Sequence, residues 1–122
     1  MNVAIIGASA NRDKFGNKAV RAYVNQGHTV FPVNTREDTV EGLTAFKSVT
    51  DIPEDLDRVS IYLPPDITLR VLPAIAAKGT AELYLNPGTE SDEVVAKAAE
   101  LGLKTIHGCS IVDIGESPSN YF

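Results

Sequence analysis

The chain has 122 residues, 43% hydrophobic and 22% charged, with a net charge of −5 at neutral pH. That length predicts one domain spanning residues 1–122 with a single core, and an excess of acidic over basic side chains, 16 to 11, argues against a nucleic-acid partner whose affinity depends on phosphate neutralisation. The lone Cys109 excludes an intrachain disulfide and a four-cysteine zinc site, no metal site is expected, and no run approaches the ~18 apolar residues of a membrane span.

The start, "MNVAIIG", enters a strand without a basic leader, so the expectation is a cytoplasmic protein. The first strand covers Val3 to Ile6 and ends at Gly7. A polar stretch follows, and a helical pattern runs from about Gly16 to Gln26, with Ala19, Val20, Tyr23 and Val24 on its apolar face and Gly27 closing it. "HTVFPV" is the second strand. Pro32 has no N–H for a ladder, which predicts a place at the sheet edge or at a bulge. "GLTAF", residues 42–46, is too short for a full crossover unit and reads as a brief outer strand.

"RVSIYL", residues 58–63, is the third clear strand, closed by Pro64 and Pro65. Asp66 is expected to cap the next helix, which buries Val71, Leu72 and Ile75 and carries Pro73 in its interior, where a kink is expected. "ELYL" is a further strand, followed by "NPGTESDE" and a helix from about Ser91 to Leu101, whose Asp92 and Glu93 suit the positive end of the dipole. "LKTIH" is the last strand. Strands alternating with helices predict an α/β fold with five or six mostly parallel strands and the first strand near the centre.

Parallel strands bring all their carboxyl ends to one edge. There the sequence sets Gly7, Ala8, Ser9, Arg12 and Lys14 after the first strand, and Asn34, Thr35 and Arg36 after the second. Pro64 and Pro65 follow the third clear strand, Asn86, Pro87 and Gly88 follow "ELYL", and Gly108, Cys109 and Ser110 follow the last. Ligands in such folds bind at this edge, where strand order reverses, expected here between the first strand and "RVSIYL". Gly7 permits a tight turn, Ala8 and Ser9 let a ligand approach the backbone, and the helix behind them offers unpaired N–H groups to an anion. Arg12 and Lys14 add positive charge. An ordinary strand-to-helix turn favours the same small residues, so the loop alone does not decide between the two.

The G-x-G-x-x-G dinucleotide pattern is absent, and no acidic residue ends the second strand to hold a ribose hydroxyl. Arg36 suits a phosphate instead, which disfavours NAD and leaves NADP or coenzyme A. His107 and Cys109 lie close in sequence, but a free cysteine is more often a small buried hydrophobe than a nucleophile. His28 begins a strand at the opposite edge and reads as structural. Asp51, Glu54, Asp55 and Asp57 read as a solvated loop. No convergent set of ionisable residues marks an active site, and the reading leans away from an enzyme.

"VAIIGAS", "GHTVFPVN", Gly42, "IYLPP", "LYLNPG" and "GCSIV", in that order and spacing, resemble the small stand-alone CoA-binding-domain family, related to the N-terminal domain of the succinyl-CoA synthetase α subunit. The resemblance covers nearly the whole chain and implies a three-layer Rossmann-like fold that binds coenzyme A or an acyl-CoA without transforming it. It implies a pyrophosphate at Gly7, Ala8 and Ser9, Asn34 near the adenosine half, Lys14 or Arg36 on phosphates, and the Pro64 and Asn86-Pro87-Gly88 loops along the ligand. The chain departs from the family in Asn34-Thr35, where members often have Asn-Pro, and in the tail after Cys109. The synthetases' catalytic histidine belongs to a further domain that this sequence does not contain. The alternatives are an NADP-binding oxidoreductase-type domain and a subunit of a CoA ligase.

Overall fold

The computed structural model describes residues 1–122. Strand β1 (Asn2–Ile6) leads through helix α1 (Phe15–Asn25) to β2 (Thr29–Val33), then to a small hairpin of β3 (Thr39–Val40) and β4 (Leu43–Thr44). A 3-10 turn precedes β5 (Leu56–Ile61), α2 (Pro65–Lys78), β6 (Thr80–Leu85), α3 (Asp92–Glu100), β7 (Thr105–His107) and the short α4 (Ser110–Asp113). The main sheet has the order β2-β1-β5-β6-β7 and every pairing in it is parallel. β1 is flanked on both sides, and β5 rather than β1 holds the centre.

Alternate residues divide the layers. Ala4, Ile6, Phe31, Val33, Ile61, Leu83 and Leu85 face α2 and α3, packing on Leu72, Ile75, Val94 and Ala98. Val3, Ile5 and Val30 face α1 and α4, meeting Ala19, Tyr23 and Ile111. Full burial of each such aliphatic side chain contributes about 1.5–3 kcal/mol, so this alternation sets the strand register. On the α1 side, however, β5 and β6 present Arg58, Ser60 and Tyr84, with Asn86 just past the end of β6, all buried.

Pro32 lies on the edge strand, as its missing donor requires. Thr29 donates inward to Met1, whereas Asn34 donates outward to Phe46. Pro32 shares the outward side with Asn34, so its lack of an N–H removes no β1–β2 bond. Its carbonyl accepts from Phe46, which bridges beside Val33. The expected outer strand at 42–46 is therefore two short pieces: Leu43–Thr44 pairs antiparallel with β3, and Phe46 runs along β2.

Two local expectations change, the capping of α2 and the burial of Val24. α2 starts at Pro65, with Pro64 in the capping position and no side-chain cap, so Asp66 sits in the first turn instead of capping it. Pro73 lies inside the helix, as expected, and faces solvent. Val24 is 48% exposed, while Asn17 and Lys18 are buried in its place, because the β3–β4 turn and the C-terminal tail cover that side of α1.

Candidate functional site

Gly7 ends β1 with φ +87°, donates its N–H to Val33 and lies against the backbone of β5. A Cβ on Gly7 would stand 2.6 Å from the Tyr62 carbonyl oxygen, and one on Gly16 would stand 2.0 Å from the Gly7 carbonyl oxygen. Two residues without side chains therefore let the start of α1 rest directly on the end of β1. Between them the loop braces itself: Ser9 Oγ accepts the Asn11 N–H at 3.0 Å, and Asn11 Oδ1 accepts the Asp13 N–H at 3.0 Å. Buried Asn17 donates to the Ser9 carbonyl at 2.8 Å and to Glu41 at 3.1 Å, and accepts from Arg21 Nε at 2.7 Å.

α1 begins without a side-chain cap and has no acidic residue in its first turn. Its first carbonyl, that of Lys14, takes the N–H groups of Asn17 and Lys18. The N–H groups of Phe15 and Gly16 are left for another acceptor, at the positive end of the helix dipole and beside Lys14. By contrast, α3 is closed by Ser91, which accepts from Val94, and carries Asp92 and Glu93 in its first turn. An anion fits the first helix and is repelled by the other.

A cleft of about 710 Å³ opens at this point, along the carboxyl ends of the strands. Its walls are Gly7, Ala8, Ser9, Lys14, Phe15 and Gly16 from the first loop, and Asn34 from β2. Tyr62, Leu63 and Pro64 follow β5, Asn86 to Thr89 follow β6, and Cys109 follows β7. Strand order reverses between β1 and β5, beneath the cleft.

Nine of the eleven sequence-derived candidates thus line one cavity; Arg12 and Arg36 do not. Arg12 pairs with Glu41 at 3.4 Å and borders a separate groove between α1, the hairpin and the tail. Arg36 is exposed, with its backbone N–H donated to Asn34 Oδ1. Two of the nine spend their side chains on the scaffold. Asn34 donates to the Ala8 carbonyl at 2.7 Å and accepts from the N–H groups of Arg36 and Glu37. Asn86 donates to Ser60 Oγ and to the Ile61 carbonyl, each at 2.8 Å, and accepts from the Ser110 N–H at 2.9 Å. These two amides tie the loops of the cleft together.

Tyr62, Cys109, Phe15 and Gly16 were not among the candidates. Tyr62 Oη and Ser60 Oγ both meet Ser110 Oγ, at 3.1 and 2.6 Å, and burial pushes the phenol's ionisation far above neutral. Cys109 is half-buried at the cleft rather than sunk in the core, while His107 is exposed on β7. The signal for Gly16 was present in the sequence: a glycine where the helix must touch the preceding strand. The cleft's ionisable side chains are Lys14, Tyr62 and Cys109, with no carboxylate and no histidine among them.

The parallel sheet, its switch point and the anion-receptive helix start define a nucleotide-binding α/β domain of the Rossmann type. Residues 1–115 match the CoA binding domain family, and the chain belongs to that family. It is 39% identical over 80 residues to the α subunit of ADP-forming acetate–CoA ligase II from Pyrococcus furiosus, covering 63% of this chain and 17% of that protein. It is 32% identical over 78 residues to the ADP-forming acetate–CoA ligase of Methanocaldococcus jannaschii, covering 64% of this chain and 11% of that protein. The chain therefore spans less than a fifth of these curated relatives. Among solved structures, a conserved hypothetical protein from Pyrococcus furiosus superposes with a TM-score of 0.86 at 32% identity, over 92% of this chain and 97% of that one. No helix is long and apolar enough to cross a membrane.

Proposed function

We propose that the chain holds coenzyme A, free or acylated, in the cleft between β1 and β5 and does not itself transform it. The observation that carries this reading is the uncapped start of α1, where Phe15 and Gly16 offer N–H groups beside Ser9 and Lys14. A pyrophosphate matches that cradle in charge and in donor geometry. The Tyr62 hydroxyl is committed to Ser110 and the lining holds no carboxylate or histidine, which favours holding the ligand over transforming it. Gly7, Ala8, Ser9 and Lys14 hold the pyrophosphate, Asn34 and Asn86 shape the walls, and Pro64, Pro87 and Gly88 flank the ligand. Arg36 reaches the 3′-phosphate from outside.

The test is a thermal-shift and calorimetry panel of CoA, acetyl-CoA, dephospho-CoA, NADP and NAD. A ligand at about 100 times its Kd stabilises the fold by about 2.7 kcal/mol. CoA is expected to give the largest shift; tighter binding of NADP would overturn the assignment. A second reading, favoured by the ligase relatives, makes the domain one part of an ADP-forming CoA ligase. It requires a partner chain that supplies ATP-dependent chemistry, and co-purification from the native host with acyl-CoA-forming activity tests it.

A further inference from the structure

Phe15 is a large aromatic residue that is 52% exposed, and it lines the mouth of the cleft. Exposure of a single ring is ordinary on a protein surface, but this one stands where a ligand in the cleft would meet it. The ring is also braced from within the fold. Lys18, one turn along α1, is itself buried, and its ammonium lies 4.8 Å from the Phe15 ring centroid and 3.3 Å from that of Phe122. A cation held between two rings fixes Phe15 in place before any ligand arrives.

The side of the cleft on which Phe15 stands follows from the helix. Asn17 faces the β3–β4 turn, where it meets Glu41. Phe15 is two positions earlier, about 200° round an α-helix, and so faces the opposite way. The hairpin lies beyond β2, so this opposite direction is that of β5, β6 and β7. Tyr62, Leu63 and Pro64 after β5, Pro87 after β6 and Cys109 after β7 line the cleft on that side and give it a largely apolar wall that includes a thiol. Asn34 lies at the other end, beyond the phosphate cradle.

Resting on the reading of the cleft as a CoA site, we propose that Phe15 recognises the pantetheine arm, packing its ring on the chain between pyrophosphate and thiol. Lys18 is a positioning residue that acts through this ring. The adenine half leaves the cradle in the other direction, past Asn34, and does not touch Phe15.

The two halves of the ligand separate the possibilities. Binding of CoA, 4′-phosphopantetheine and 3′,5′-ADP is measured by calorimetry, directly or in competition, for the wild type, Phe15→Ala, Phe15→Leu and Lys18→Met, with circular dichroism confirming the fold of each variant. Phe15→Ala is expected to weaken CoA and 4′-phosphopantetheine about tenfold while 3′,5′-ADP stays within about twofold. Phe15→Leu restores most of the loss, and Lys18→Met gives a smaller loss on the same two ligands. An equal loss on 3′,5′-ADP, or no loss on any ligand, overturns the proposal while leaving the CoA site intact. A wild-type protein that binds none of the three overturns the CoA reading itself.

Discussion

The carbonyl oxygen of Gly7 occupies the space where a side chain on Gly16 would begin, 2.0 Å from the Cβ position. Backbone cannot swing aside as a flexible side chain does, so Gly16→Ala must push α1 away from β1 or distort the loop between them. Overpacking of this kind costs about 1–3 kcal/mol. The expected result is a lower urea midpoint together with weakened CoA binding, since the N–H groups of Phe15 and Gly16 move with the helix. A variant with wild-type stability and affinity would show that the contact is slack.

Ser9 tests the cradle without disturbing the fold. Its Oγ accepts the Asn11 N–H, a role that an aspartate oxygen also fills. Ser9→Asp should therefore fold normally but set a carboxylate against the pyrophosphate, at a cost of several kcal/mol. Calorimetry should detect no CoA binding at concentrations that saturate the wild type. Unchanged affinity in a folded variant would reduce the loop to a simple turn.

Arg36 lies outside the cleft lining, so its part in recognition depends on the ligand's extra phosphate. A charge-assisted hydrogen bond contributes roughly 1.5–3 kcal/mol, and Arg36→Ala should weaken CoA by about tenfold or more. Dephospho-CoA, which lacks the 3′-phosphate, should bind both proteins alike. Equal losses for the two ligands would remove Arg36 from the phosphate contact.

A prediction about acid stability comes from Asp113 at the end of α4. Burial pushes its carboxyl up, but hydrogen bonds from Arg58 at 2.8 Å and from Tyr84 outweigh that and hold it below the usual 3.8. A folded-state value below the unfolded one adds stability that is present above about pH 3.8 and is lost as pH falls through the folded value. Asp113→Asn should lose stability at pH 6, and its gap to the wild type should narrow as pH falls below 3.8. Urea melts across that range would show the two curves closing; a constant gap would mean that the Arg58 contact does not depend on charge.

Periodicity and turn chemistry made much of this molecule legible. The four long strands follow from apolar runs bounded by turn residues, and Pro32 narrows β2 to an edge or a bulge, of which the sheet order gives the edge. Val24 misled because helical spacing marks a face without saying how wide it is; the turn at Glu41 and the tail at Tyr121 redraw that face from far along the chain. The loops that line the cleft were legible in the sequence, but the internal partners of their side chains were not. Asn34 and Asn86 read as ligand contacts because polar residues at strand ends usually are. Their amides are taken up by Ala8, Ser60, Ile61 and Ser110, partners that only the folded sheet brings near. In "RVSIYL", Arg58, Ser60 and Tyr62 alternate with apolar residues, and that alternation places a buried polar network on the α1 side of a central strand. Arg58 reaches Tyr23, Glu82 and Asp113 there.

Parallel sheets leave two raw borders, and each border is an invitation to a neighbouring molecule's backbone. On the β2 side that invitation is withdrawn twice. Pro32 has no hydrogen to offer, and its carbonyl and the Asn34 N–H are already taken by Phe46. A second molecule arriving there finds no continuous row of donors and acceptors to copy. The opposite border, β7, has only three residues. Concentrated solutions of this protein should therefore resist edge-to-edge stacking into fibres, and the Phe46 segment, whose ring also packs on Phe31, serves as a built-in guard against self-templating.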